Sequence, residues 1–283
     1  MVCPVCSSLE LRLKYQINSY EILLCDLCGH EFTRAALNEN LAEDIFSDDY
    51  FNKGKNGYPD YTLQKDILIN RGEFYARMAE QYIQGGKMLD VGAAAGFIMK
   101  GFENRGWEVE GIELNRSMAE YGQTHLGLKI YQGSAEQVEI CNKYDLVIMI
   151  QIIAHLFDVR RSMGNIRDRV TDNGYILIET VNKDSFTARV FGKSWHAYSP
   201  PSTMNYFSKK TLDIFLRDYG FRKIREGRLR KILHGTHAKE IIKHKALTSD
   251  KLKYLTIIEK MIPSNIRIVY PLDDIFWSLY QKE

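Results

Sequence analysis

The 283-residue chain contains no apolar run long enough to cross a bilayer. Its longest, Leu146 to Ile153, is interrupted by Gln151 and falls far short of the roughly 20 residues that a spanning helix requires. No membrane span is therefore expected. The opening Met1-Val2-Cys3-Pro4-Val5-Cys6 lacks both a basic n-region and an apolar h-region, so no secretory signal is expected and the location read from it is cytoplasmic. Charge of one sign is missing too. With 38 Lys and Arg against 36 Asp and Glu, the formal net charge is only +2, so any affinity for nucleic acid or lipid must be local. Internal repeats and low-complexity tracts are absent, and the composition excludes disorder, collagen and coiled coil. What remains, 45% hydrophobic and 26% charged residues, suits one large domain plus a small appendage.

Cysteine is scarce but organised. Four of the five residues form two C-x-x-C pairs, Cys3 with Cys6 and Cys25 with Cys28, separated by eighteen residues. Two such turns bring four thiolates around one tetrahedral ion, the ligand set of a structural zinc site. A redox dithiol would not require two matched pairs. Between the pairs, Leu11 to Gln16 and Tyr20 to Leu24 read as short strands with Asn18-Ser19 at the bend. Residues 1–34 are thus expected to form a zinc ribbon, a module too small for a core of its own, whose folding the ion supports by on the order of 10 kcal/mol. His30 is expected on the ribbon surface, although it could replace a sulfur, and Cys141 is expected in the core. Arg12, Lys14 and Arg34 face Glu10, Glu21, Asp26 and Glu31, a balance that disfavours phosphate binding by the ribbon alone.

Residues 35–84 read as a linker followed by a helical lid. From Asn38 to Tyr50 the chain carries Glu39, Glu43, Asp44, Asp48 and Asp49 without a basic residue, whereas Leu63, Ile67, Phe74, Met78 and Tyr82 have helical spacing. From Lys87 onward strand-like and helix-like segments alternate, which argues for a parallel sheet covered on both faces. The first unit is the informative one. Met88 to Val91 is a short apolar strand, Gly92-Ala93-Ala94-Ala95-Gly96 a small-residue turn, and Phe97 to Arg105 a helix. Small residues let the backbone approach a ligand at the strand's C-terminal edge. Glu113, twenty-three residues after Asp90, ends the second strand, where a carboxylate can accept both hydroxyls of a ribose. The spacing D-x-G-x-x-x-G does not satisfy the dinucleotide fingerprint G-x-G-x-x-G and favours a single nucleoside.

In these residues the chain resembles the class I S-adenosylmethionine-dependent methyltransferases, whose first motif is D-x-G-x-G-x-G. Ala94 departs from the usual glycine. The resemblance extends over roughly residues 85–226 through Gly133-Ser134-Ala135-Glu136, the strand Tyr144 to Ile150, the segment Gln151 to Asp158 and the turn Asp172-Asn173-Gly174. It implies an α/β fold, a Rossmann-like seven-stranded sheet over residues 85–283 with acceptor-side insertions near 183–207 and 228–267, closed by an antiparallel strand at Asp274 to Gln281. It also implies S-adenosylmethionine as cofactor, held by Asp90, Gly92, Ala94, Gly96, Glu113, Leu114, Ser134, Ala135 and Gln151.

Ser199 to Ser208, with the helix ending at Gly220-Phe221, resembles the P-P-x-H-L-x-Y-F-S stretch of methyltransferases from polysaccharide and antibiotic-sugar clusters, many of which begin with a cysteine-pair module. Thr203 occupies the histidine position, so O-methylation of a sugar or related small metabolite fits better than carbon methylation. His155 and His196 are the candidate bases, with the aromatic loop around Trp195 as an acceptor wall. Phe221 to Lys253 holds eleven basic against three acidic residues, either a solvated face or a site for a phosphate-bearing acceptor. RNA-base methylation and a cofactor-binding scaffold without turnover are the alternatives.

Overall fold

The computed structural model describes residues 1–35, 39–52, 58, 60–138, 141–228, 232–236, 239, 263, 266–269 and 273–283. The N-terminal hairpin pairs β1 (Leu11–Ile17) with β2 (Tyr20–Cys25), and β3 (Glu31–Arg34) adds to β2. At the bend, Asn18 and Ser19 both take positive φ, 49° and 66°, as a two-residue hairpin turn requires. Two short helices follow, α1 (Glu39–Ile45) and α2 (Asp48–Asn52), then a turn of 3-10 helix capped by Asp60 and the longer α3 (Lys65–Ala79). The acidic stretch expected to be linker is therefore partly helical.

The doubly wound unit contains β4 (Lys87–Val91), α4 (Phe97–Glu103), β5 (Glu108–Glu113), α5 (Arg116–Leu126), β6 (Lys129–Gln132), β7 (Tyr144–Ile150), α6 (Val159–Arg167) and β8 (Val170–Val181). Then come α7 (Phe186–Phe191), the two-residue β9 (Asn205–Tyr206), α8 (Lys209–Arg217), β10 (Phe221–Gly227), the small pair β11 (Ile232–His234) with β12 (Arg267–Val269), and β13 (Ile275–Lys282). The main sheet has the order β10-β13-β8-β7-β4-β5-β6. Pairing is parallel from β8 through β6, and β13 runs antiparallel to both β8 and β10, as the resemblance implies.

Alternation along β7 shows why both faces are covered. Leu146 and Ile148 pack with α3, α4 and α5, whereas Val147 and Met149 pack with α6 and α8. Strand order reverses between β4 and β7, which opens a crevice at the carboxyl ends of those two strands.

The ribbon sheet does not end with β3. Its edge is continued by β9, giving the order β1-β2-β3-β9. Three expectations are corrected here. His30 is not on the ribbon surface: it is fully buried against Phe207 and Phe32, because β9 covers that edge. Cys141 is exposed, since it lies in the loop ahead of β7 and not in the strand. Trp195, Tyr198 and Tyr206 form no acceptor wall: they are buried with Ile22 of the ribbon. Most of the 228–267 insertion, and of the basic segment through Lys253, lies outside the described residues.

Candidate cofactor cavity and cysteine cluster

A cavity of about 480 Å³ occupies the crevice at the strand tips, within the roughly 300–1,000 Å³ typical of small-ligand sites. Its floor comes from the ends of three strands: Val91 and Gly92 after β4, Ile112 and Glu113 of β5, Ile150 and Gln151 after β7. Gly92 has φ +79°, and a Cβ there would lie 2.7 Å from the Ile152 side chain. That turn is fixed because the Gly92 and Ala93 N–H groups both donate to the Ile112 carbonyl at 2.9 Å.

Glu113 is 5% exposed and lines the cavity. Its Oε2 accepts from the Ala94 N–H and its Oε1 from the Asn115 N–H, both at 2.7 Å. Burial raises its pKa against the pull of those backbone bonds. Each carboxylate oxygen retains a second lone pair for a ligand. Ala94 sits at φ 47°, the left-handed region that favours glycine, and in that conformation its N–H donates to Glu113.

Ala94, Leu114, Ser134, Ala135, Gln151 and His155 also line the cavity. Asp90, Gly96 and His196 do not. Asp90 lies behind the floor, 2% exposed, and burial together with the Glu113 charge pushes its carboxyl up to about 8. Gly96, at φ +77°, opens α4, and a Cβ on it would meet Leu128 at 2.5 Å, so the turn there is closed to a side chain. His196 is turned toward the buried Asp274, with Nδ1 3.5 Å from Oδ2, beside the Trp195 indole that donates to the same oxygen at 2.7 Å. No residue of 183–207 lines the cavity.

His155 stands at the opposite wall in a turn of 3-10 helix, Ile153–His155, after β7. Its Nδ1 lies 2.6 Å from the Ser202 carbonyl oxygen. A carbonyl can only accept, so Nδ1 carries the proton and Nε2 is the free base. Burial lowers the imidazole pKa, opposed by the Ser202 bond, and keeps the ring neutral at pH 7.

Two sets of functional neighbours escaped the sequence reading. The first is an aromatic cover, Phe46, Tyr50, Phe51 and Tyr58 from the supposed linker and its end, joined by Tyr61 at the start of the expected helical lid. Phe46 packs edge-on against His155 at 5.6 Å, and the Asn115 side-chain amide donates to the Phe46 carbonyl at 3.0 Å and to Asp48 at 3.1 Å. Ser117 donates to the other oxygen of Asp48. Five aromatics within sixteen residues were the available signal. The second is the buried Glu179 at the end of β8, which accepts from Arg71 and Tyr75 of α3 and from the Gln151 amide at 2.6 Å. Burial alone would raise the Glu179 pKa, but the Arg71 charge and these bonds bring it below the usual carboxylate range. The network holds Gln151 at φ 60° on the cavity wall.

At the far end of the ribbon, the four sulfurs of Cys3, Cys6, Cys25 and Cys28 lie within 4.8 Å of one another. The closest pairs are Cys3 with Cys28 at 3.6 Å and Cys6 with Cys25 at 3.5 Å. Four thiolates about 2.3 Å from a tetrahedral ion would have comparable separations.

Residues 65–226, more than half of the chain, match the family model described as a methyltransferase domain, and the chain belongs to that family. With this sheet and cavity it is a class I S-adenosylmethionine-dependent methyltransferase. Curated relatives include the ubiquinone biosynthesis O-methyltransferases of Rickettsia prowazekii, 31% identical over 112 residues, and of Rhodopseudomonas palustris, 24% identical over 120 residues. These alignments cover 38% and 40% of this chain and 44% and 47% of the relatives, so the chain spans less than half the length of either. Among solved structures, magnesium protoporphyrin IX methyltransferase from Synechocystis with bound S-adenosylmethionine shares the fold at TM-score 0.53 and 13% identity. A Pyrococcus horikoshii protein does so at TM-score 0.52 and 14% identity. Each alignment covers 88% of this chain and 100% of the other.

Proposed function

We propose that the enzyme methylates a hydroxyl oxygen of a small molecule, a sugar or related metabolite, with His155 as general base. The observation that carries this reading is the fixed tautomer of His155, whose proton sits on Nδ1 against Ser202 while Nε2 remains basic at the cavity wall. The relatives named as O-methyltransferases support the oxygen acceptor. When bound, S-adenosylmethionine supplies an electrophilic methyl on a sulfonium and departs as the neutral thioether.

The side chains position and desolvate the reactants. Glu113 accepts from the ribose hydroxyls while its backbone bonds hold the carboxylate still. The small residues Gly92 and Ala94 would permit close approach of the cofactor, Leu114, Ser134 and Ala135 would hold its adenine, and Gln151 would face its methionine end, all of them lining the cavity. The aromatic cover excludes water, which matters for an in-line displacement whose barrier is lowered mainly by alignment. As the new C–O bond forms and the S–C bond breaks, the acceptor hydroxyl proton passes to His155 Nε2. Glu43, Asp158 and Arg161 give the cavity the polar groups that a hydroxyl-rich acceptor needs.

The four cysteines fit one zinc ion whose role is to fold the ribbon. RNA is disfavoured because the cover over the cavity carries Glu43, Asp44, Asp48 and Asp49, a charge that repels a phosphate chain. The test is methyl transfer from labelled S-adenosylmethionine to fractionated cell extract. Label in a small-molecule ether, lost in His155→Gln with S-adenosylhomocysteine affinity retained, is the expected result. Label in RNA, or full activity of the variant, would overturn it.

A further inference from the structure

The segment Ser202 to Tyr206 lies between the ribbon and the turn that carries His155. From the ribbon side, Phe32 and Glu31 of β3 pair with Asn205 and Tyr206 of β9. The Thr33 N–H donates to the Met204 carbonyl at 2.8 Å, and the Thr33 hydroxyl donates to the Thr203 carbonyl at 2.8 Å. His30 Nε2 is 3.4 Å from Asn205 Oδ1, an oxygen that can only accept. From the other side, the Met204 N–H donates to the Ala154 carbonyl at 2.8 Å and the Asn205 amide to the Leu156 carbonyl at 3.0 Å. These two carbonyls bracket His155, whose own Nδ1–H is held by Ser202.

The ribbon is also anchored where this segment leaves it. Glu31, 2% exposed, accepts from the Tyr198 hydroxyl at 2.6 Å and pairs with Lys14 at 2.7 Å and Lys183 at 3.1 Å. Thr203, Asn205 and Tyr206 are all buried by this packing. The β3 edge of the ribbon is therefore covered inside the molecule.

We infer that the ribbon is a positioning element for the base: through Thr33 and the β3–β9 pairing it holds the Ser202 carbonyl against His155 and so selects the tautomer with Nε2 free. The cysteine cluster then acts on the chemistry at a distance, by keeping β3 formed. Thr33, Thr203 and Asn205 are positioning residues and touch no reactant. A register shift or loosening of β9 would release Ser202 and let the His155 ring populate both tautomers.

This inference rests on His155 acting as base, and its test separates the two. The tautomer is read on the full chain by long-range ¹⁵N–¹H correlation of the His155 imidazole, assigned by its loss in His155→Gln, while S-adenosylhomocysteine binding is followed by calorimetry. Zinc-loaded protein is expected to show a single Nδ1–H form. After the metal is stripped by a chelator, the expected result is an averaged pair of tautomers with cofactor affinity changed by no more than about twofold, because the Ala94 and Asn115 N–H groups that hold Glu113 lie outside the ribbon. A single unchanged tautomer in stripped protein that still binds would overturn the inference. Should stripping abolish cofactor binding, zinc-loaded Thr33→Val decides in the same way: averaged tautomers support it and an unchanged spectrum overturns it. Methyl transfer by His155→Gln would refute the base alone and leave the tautomer result standing.

Discussion

The cofactor side and the ribbon side of this molecule are assembled by different means. Around Glu113 the decisive bonds join residues close in sequence, Ala94 to Glu113 and Asn115 to Glu113, within one strand-turn-helix unit and its neighbour. Around His155 they join its turn to a segment about 50 residues on, through Ser202, Met204 and Asn205, and that segment in turn to the ribbon, more than 150 residues away, through Thr33 with Thr203 and Tyr198 with Glu31. The first side is a local motif that any such sheet can carry. The second is a composite, complete only when the N-terminal module has docked.

On the proposed zinc reading of the cysteine cluster, removing the metal is the harshest way to break that division. A structural zinc contributes on the order of 10 kcal/mol, so chelation or Cys25→Ser should strip hydrogen-exchange protection from β1, β2, β3 and β9 while β4 and β5 stay protected. Loss of protection throughout would show that the two sides fold as one unit. Next in size is His155→Gln, expected to lower the methyl-transfer rate by about 10²–10⁴-fold without changing cofactor affinity.

The same residue sets the pH dependence. Because burial lowers its folded pKa below the ordinary 6.5, the neutral ring that the proposed base role requires persists through neutrality, and activity should fall only below pH 6.5. Stability follows the same sign: the contribution of the neutral ring is complete above 6.5 and is lost as pH falls through the folded value. An acid limb centred above 6.5 would contradict this placement.

On the other side, Glu113→Ala should weaken S-adenosylhomocysteine binding by about 1.5–3 kcal/mol, roughly 10- to 150-fold, with little effect on the His155 tautomer. Calorimetry measures the first and the imidazole spectrum the second. The smallest effect is expected from Ala94→Gly. Relief of the left-handed alanine, about 1–2 kcal/mol, is offset by the extra chain entropy of glycine, about 0.4–1 kcal/mol. Urea unfolding should therefore show a net gain between about 0 and 1.6 kcal/mol, and a loss would mean that the buried methyl is needed for packing.

The same division governs what could be read from the sequence. Met88 to Val91, Tyr144 to Ile150 and the cysteine pairs announce themselves through short-range pattern, and the strand order follows from motifs in sequence. β9 has two residues inside a proline-flanked loop, too few for periodicity, so its pairing with β3 was invisible. His196 looked available because it follows an aromatic, yet Trp195 and Asp274 hold that loop inward. Asp90 and Gly96 occupy motif positions whose work here is done from beneath the cavity. The cover was masked by its acidic composition, which resembles linker until the aromatics are counted.

Asn115 links that cover to the rest of the molecule. Its Oδ1 caps α5 by accepting from the Met118 N–H at 2.9 Å, while its amide reaches Phe46 and Asp48. Because cap and latch use different atoms, breaking the latch leaves the α5 cap intact. The three latch bonds, about 0.5–1.5 kcal/mol each, are exchangeable, whereas Phe51 and Tyr61 of the same cover are buried in the core. On the proposed function, escape of the spent thioether would have to break that latch on every cycle, which places product departure beside bond making among the steps that can set the pace of turnover.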